Sequence, residues 1–148
     1  MKAKVTLSIL LSVLFSYAFA QQLFVGSYVE NTCINAKLGT RIGLLTNQGF
    51  EVGGFYQSES KIFQSEENKP LFYEKEFFGV FMAAPLLVRD NYQLKLNVRT
   101  GAVNKINFAI TPSIVMDYKL FNQVSLNGGI GVKALKPTLQ AGIRINIL

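Results

Sequence analysis

Six cations stand at strand-compatible positions in this 148-residue chain: Lys37 and Arg41, Lys95 and Arg99, and, closer to the C-terminus, Lys133 and Arg144. In a period-two strand, residues an even number apart lie on the same face, so each of the first two pairs points one way. Glu51 and Gln140 fall on polar faces of the same kind. Such a set can form ion pairs or favour the passage of anions. It cannot readily move protons near neutral pH, because the chain contains no histidine. That absence removes histidine-dependent triads, carboxylate–histidine dyads and the usual zinc sites, and with them the expected base of an enzyme. Neither an enzymatic activity nor a cofactor nor a metal is expected. The single cysteine, Cys33, cannot close an internal disulfide. The only aspartates, Asp90 and Asp117, fall in predicted turns beside Asn91 and Tyr118.

The elements that position these cations follow from hydrophobic period. Tyr92 to Gly101, YQLKLNVRTG, alternates Tyr92, Leu94, Leu96, Val98 and Thr100 with Gln93, Lys95, Asn97 and Arg99. Ile34 to Leu45 likewise sets Ala36, Leu38, Ile42 and Leu44 against Lys37, Gly39, Arg41 and Gly43. No segment carries a convincing helical stripe, and the period predicts eight strands. The other six are near Leu23 to Val29, Phe50 to Gln57, Glu76 to Ala84, Lys105 to Met116, Val124 to Lys133 and Pro137 to Ile147. One connection is long, Ser58 to Lys75, with seven charges and Pro70. An even strand number puts both ends of a closed up-and-down sheet on one side. Three short turns, Thr46 to Gly49, Pro85 to Asn91 and Asp117 to Gln123, share that side, and the long loop lies opposite. Pro112 falls inside a strand and predicts a bulge or the end of a regular ladder. Glu76 to Ala84 is apolar on both faces, so its register stays open.

The N-terminus reads as an export signal. Lys2 and Lys4 precede the apolar run Val5 to Phe15, and Ala18 and Ala20 supply small residues for cleavage before Gln21. Residues 1–20 are then a signal peptide and 21–148 one domain. That run is too short to span the bilayer as a helix, and no longer apolar run exists. Even so, 49% of residues are hydrophobic and only 16% charged, below the ~25% charge typical of soluble domains. The cations are spaced singly along strands and do not cluster with aromatics, so the net charge of +6 does not predict nucleic-acid binding.

A soluble ligand-carrying barrel and a membrane barrel share this alternation and orient it oppositely. Placed against lipid, each Lys or Arg would cost ~2 to 4 kcal/mol at the midplane; for six this exceeds a typical net stability of ~5 to 15 kcal/mol. A membrane barrel therefore turns the polar faces inward. Glycines at 39, 43, 53, 129, 131 and 142 fall on these faces, where an exposed soluble strand would gain nothing from them. In a narrow interior they would leave room for the long basic side chains. Ten residues at ~3.3 Å each, tilted by ~45°, rise ~23 Å, close to the ~25 Å apolar band of outer-membrane barrels.

With these strands and the export signal, the chain resembles the small outer-membrane β-barrels of the OmpX and OmpA type. The resemblance is one of pattern over nearly the whole mature chain. Family members usually end on an aromatic residue, whereas this chain ends Ile145, Asn146, Ile147, Leu148. The resemblance implies an eight-stranded antiparallel up-and-down transmembrane β-barrel in the outer membrane of a Gram-negative-type bacterium. Its implied partners are outer-membrane lipid and lipopolysaccharide, and the barrel-assembly machinery during biogenesis. It implies a monomeric anchor, without enzymatic activity, whose long loop meets a surface partner that the sequence does not identify. The lumen would be lined by Lys37, Arg41, Glu51, Lys95, Arg99, Lys133, Gln140 and Arg144. A narrow pore for small solutes and a soluble lipocalin-like carrier are the alternatives.

Overall fold

The computed structural model describes residues 20–32, 35–59, 75–133 and 135–147. Eight strands follow one another in chain order: β1 (Ala20–Thr32), β2 (Asn35–Thr46), β3 (Glu51–Glu59), β4 (Glu76–Val88), β5 (Tyr92–Val103), β6 (Asn107–Lys119), β7 (Val124–Lys133) and β8 (Lys136–Asn146). Each pairs antiparallel with the next, and β8 returns to β1, closing the barrel. At the seam Ile147 donates its N–H to the Leu23 carbonyl at 2.7 Å. Residues 1–19 of the export signal, Cys33 and loop residues 60–74 lie outside the described residues.

The register fixes the tilt. Following paired residues from Gln22 through Leu45, Glu51, Ala83, Asn97, Ser113, Gly131 and Thr138 leads back to β1 one step above the Asn31↔Leu139 pair, about ten residues along the strand. Ten residues at ~3.3 Å against eight strand spacings of ~4.8 Å correspond to a tilt of roughly 40°. Strands of 9 to 13 residues are long for such a small barrel, as a thick wall requires.

Short turns join the strands at the end that carries both Ala20 and Ile147. The β2–β3 turn places Gly49 at φ 85°, and its N–H donates to the Thr46 carbonyl at 2.9 Å. The Thr46 hydroxyl accepts from the Phe50 N–H at 3.1 Å. This tight reversal needs a left-handed residue that glycine adopts without steric cost. At the opposite end, the Asn104 side-chain oxygen accepts from the backbone N–H groups of Lys75 and Glu76 at 2.8 and 3.1 Å. It ties the base of the long loop to the β5–β6 turn.

Most strand boundaries shift by a few residues from the sequence expectation, and three of the shifts bear on the interior or on a proline. β4 does not end at Pro85; a bulge between Pro85 and Leu87 absorbs the proline, and pairing with β5 continues to Val88. β6 runs to Lys119, so Asp117 lies inside a strand and not in a turn. β1 continues past Val29 to Thr32, which brings Glu30 into the wall. Pro112 causes no bulge: pairing with β5 passes through Val98↔Pro112, while the ladder to β7 ends at Ser113.

Candidate functional site

Alternation sorts every strand into an inward and an outward face. Outward go Val25, Val29, Leu38, Ile42, Val52, Val80, Met82, Leu96, Ile110, Ile114, Met116, Leu126, Ile130, Ile143 and Ile145, all exposed. Inward on β2, Lys37 is buried and Arg41 half-buried. Glu51, Lys95, Arg99, Lys133, Gln140 and Arg144 are buried as well, with Lys95 only 1% exposed. The cations thus line an enclosed axis and the aliphatics form the outer surface.

The interior is filled in layers. Nearest the end that carries the termini, Glu51 from β3, Lys95 from β5, Asp117 from β6 and Arg144 from β8 form one cluster. Lys95 Nζ and Arg144 Nη1 each approach Glu51 Oε1 at 2.5 Å, Arg144 Nη1 lies 2.7 Å from Asp117 Oδ2, and Lys95 also pairs with Asp117. Two carboxylates thereby face two cations, and each carboxylate is shared by both. A cation taken out of bulk water is tolerable only with such partners. An aromatic layer follows, with Phe24 and Phe81 at a centroid distance of 6.1 Å. Arg144 and Arg41 stack their guanidinium groups 5.6 and 5.7 Å from the Phe24 ring.

Beyond it lies a second ionic layer. Arg99 pairs with Glu30 and donates to the Tyr28 hydroxyl at 3.2 Å. Its guanidinium also lies 5.4 Å from the Tyr28 ring and 5.8 Å from Phe55. Phe55 and Phe77 then meet edge to face at 4.7 Å, and Lys133 Nζ sits 3.8 Å from the Phe77 centroid. Charged heads sandwiched between ring faces gain cation–π attraction in place of water. Phe24, Phe55, Phe77, Phe81 and Val103 make one continuous apolar cluster inside the barrel.

This filling corrects two expectations. The glycines leave space mainly for rings and for the close approach of neighbouring strands, and not for basic side chains. A β-carbon at Gly43 would lie 2.8 and 2.9 Å from the tips of Phe24 and Phe81, and at Gly39 it would enter the Tyr28 ring. Gly26, beside Arg41, is the case that fits the original reason. The acidic partners also go beyond Glu51, the one carboxylate expected inside: Glu30 and Asp117 are buried there too, while Glu76 stands on the outward phase of β4, where its carboxylate accepts from the exposed Tyr56 hydroxyl at 3.4 Å. The six cations against these three carboxylates leave an excess of three positive charges where six against Glu51 alone would leave five. Glu30 carried a usable signal, since it continues the phase of Phe24, Gly26 and Tyr28.

A polar vestibule of about 200 Å³ opens at the end with the termini, lined by Gln22, Arg89, Gln93, Asp117, Ser125 and Arg144 among others. It stops at the first ionic layer. The site offers neither a nucleophile–base pair nor, among the described residues, a group of three or more metal-binding side chains.

No protein-family model matches the sequence, and no curated protein matches it. Solved structures do share its fold. A de novo designed transmembrane β-barrel aligns with a TM-score of 0.70 at 12% identity, covering 86% of this chain and 97% of the design. The solution structure of the designed barrel TMB2.3 aligns with a TM-score of 0.66 at 13% identity, over 86% of this chain and 94% of the other. The crystal structure of Neisserial surface protein A aligns with a TM-score of 0.46 at 12% identity, over 84% and 94%. The chain has the fold of an eight-stranded transmembrane β-barrel.

Proposed function

We propose that the protein is a non-enzymatic outer-membrane barrel of the cell envelope, exported by its N-terminal signal, whose barrel is a sealed anchor for the long loop between β3 and β4. The observation that carries this reading is the sidedness of the wall. Exposed leucine, isoleucine, valine and methionine encircle the outside, while Lys37, Lys95, Arg99, Lys133 and Arg144 are buried at the axis. Only a surrounding apolar solvent makes that arrangement favourable, because in water the aliphatic exterior would drive aggregation and the cations would gain by turning outward. A soluble carrier needs the reverse orientation and an empty apolar centre, and here the centre is occupied by paired ions and rings.

The same filling supports an anchor over a pore. Two ionic layers and the phenylalanine layers lie across the axis, and eight strands enclose little more than side chains. With both termini on the periplasmic side, the long loop is extracellular, as in barrels of this kind. Its charges of both signs and the aromatics Phe63, Phe72 and Tyr73 make it the part suited to lipopolysaccharide headgroups or a surface partner. The barrel-assembly machinery inserts it, and it acts as a monomer. Cell fractionation with heat-modifiable gel mobility tests the location: the protein pellets with outer membranes and migrates faster unheated than boiled. Release by osmotic shock would instead identify a soluble carrier. Excision of Lys61 to Lys69 tests the loop; unchanged adhesion and envelope integrity would remove it from the function.

A further inference from the structure

The wall is not laddered to the same height all round. The β6–β7 ladder stops at Ser113↔Gly131, although β6 continues along β5 as far as Asn107↔Val103. On the other flank the β1–β8 ladder stops at Asn31↔Leu139. The tip of the β7–β8 hairpin is held across itself by Val132↔Pro137 and Lys133↔Lys136. Among the described residues it is laddered to neither neighbour.

A proline stands just beyond each break. The Pro112 carbonyl faces Gly131 of β7, and an antiparallel residue directs its N–H and C=O to the same neighbour. The N–H that Pro112 lacks is therefore one that would have faced β7. The Ile143 carbonyl faces Gly26 of β1, and Pro137 shares that phase on β8, so its missing N–H would have faced β1. Pro112 thus lacks a donor where the described ladder to β7 has ended, and Pro137 lacks one beyond the last described pair with β1.

Beneath the hairpin tip, on the outer surface, lies an open cavity of about 670 Å³. Leu96, Ile114, Ile130, Val132 and Leu139 form its sides together with the two prolines, and no charged side chain lines it. Its volume falls within the ~300 to 1,000 Å³ of small-molecule sites. We propose that this groove seats one acyl chain of a bilayer lipid from the leaflet on the long-loop side. The inference rests on the membrane-spanning reading above. The aliphatic sides are continuous with the outward belt of Ile110, Met116, Leu126 and Ile143, so a lipid chain reaches the groove without leaving its own layer. A polar ligand finds no charged partner there. An added peptide strand would need an uninterrupted row of donors on β6, which Pro112 breaks.

The chain has no tryptophan, so single reporters can be introduced: Ile130→Trp at the groove and Val80→Trp on the far wall. In bilayers of brominated phosphatidylcholine both are quenched; if neither is, the membrane reading itself falls, and the groove with it. In detergent, a nitroxide-labelled stearic acid is then titrated. The groove reporter is expected to quench saturably near one probe per protein, about tenfold more efficiently than Val80→Trp, equivalent to about 1.4 kcal/mol of preference. Adding Ile114→Phe, with folding verified by heat-modifiable mobility, removes the saturable phase. Equal, non-saturating quenching at both reporters, in a protein whose bilayer quenching is intact, would overturn the acyl-chain site while leaving the barrel's location standing.

Discussion

At the scale of single residues, the stability of the interior depends on who shares whom. Asp117 is bonded by both Lys95 and Arg144, and so is Glu51. Asp117→Leu leaves two buried cations on one carboxylate and should cost about 3 to 5 kcal/mol. The double variant Asp117→Leu/Arg144→Leu retains the balanced Lys95 and Glu51 pair and should be the more stable of the two. Urea unfolding followed by tyrosine fluorescence and gel mobility measures both; a double variant weaker than the single would mean that Arg144 does not depend on Asp117. The glycines make a second residue-scale prediction. Gly39→Ala drives a β-carbon into the Tyr28 ring, an overpacking cost of about 1 to 3 kcal/mol. Combining it with Tyr28→Leu should recover part of that loss, even though Tyr28→Leu alone destabilises by releasing Arg99. Strict additivity in the four-member cycle would remove ring accommodation as the reason for glycine at this position.

At the scale of strands, the outward phase is the testable quantity. Ile114 is midway along the outer face of β6 and Tyr118 close to its end. In liposomes, Ile114→Arg should cost ~2 to 4 kcal/mol and Tyr118→Arg only ~0 to 1, following depth. On a soluble barrel both changes would be nearly neutral, so equal and small effects in reversible urea titrations would count against a lipid-facing exterior. This phase was legible in the sequence wherever the inward face is polar, as in β2, β5 and β8, whose Lys, Arg, Asn and Gln alternate cleanly with aliphatics. It was illegible in β4, because Phe77, Phe81 and Ala83 point inward while Phe78, Val80 and Met82 point outward, leaving no contrast of polarity. Asp117 was missed for a different reason. Asp-Tyr resembles the opening of a turn, and it is the pairings on both flanks, Tyr92↔Tyr118 with β5 and Tyr118↔Leu126 and Lys119↔Ser125 with β7, that extend the strand past it. Pro112 is the converse case, since a ladder ending beside a proline is a local property that sequence does disclose.

For the whole molecule, the question is whether the closed wall encloses a path. Its two ionic layers lie in series, Glu51, Lys95, Asp117 and Arg144 below and Glu30 with Arg99 above, and Phe24 and Phe81 stand between them. Ions crossing the barrel would have to displace paired charges twice in a space without bulk water, where each unpaired charge costs several kcal/mol. Wild-type protein in planar bilayers should therefore show no conductance above that of the lipid. Resistances in series make a further demand. Arg99→Ala, which removes the upper head group, and Arg144→Ala, which opens only the lower layer, should each remain silent, because the other layer still blocks. The combined variant keeps the phenylalanine layers across the axis, and Lys37, Arg41, Lys95 and Lys133 still face Glu30, Glu51 and Asp117, so it should be silent as well. A wild-type channel that selects anions would place a water-filled path where the structure has rings and ion pairs, and would favour the narrow-pore reading over the anchor.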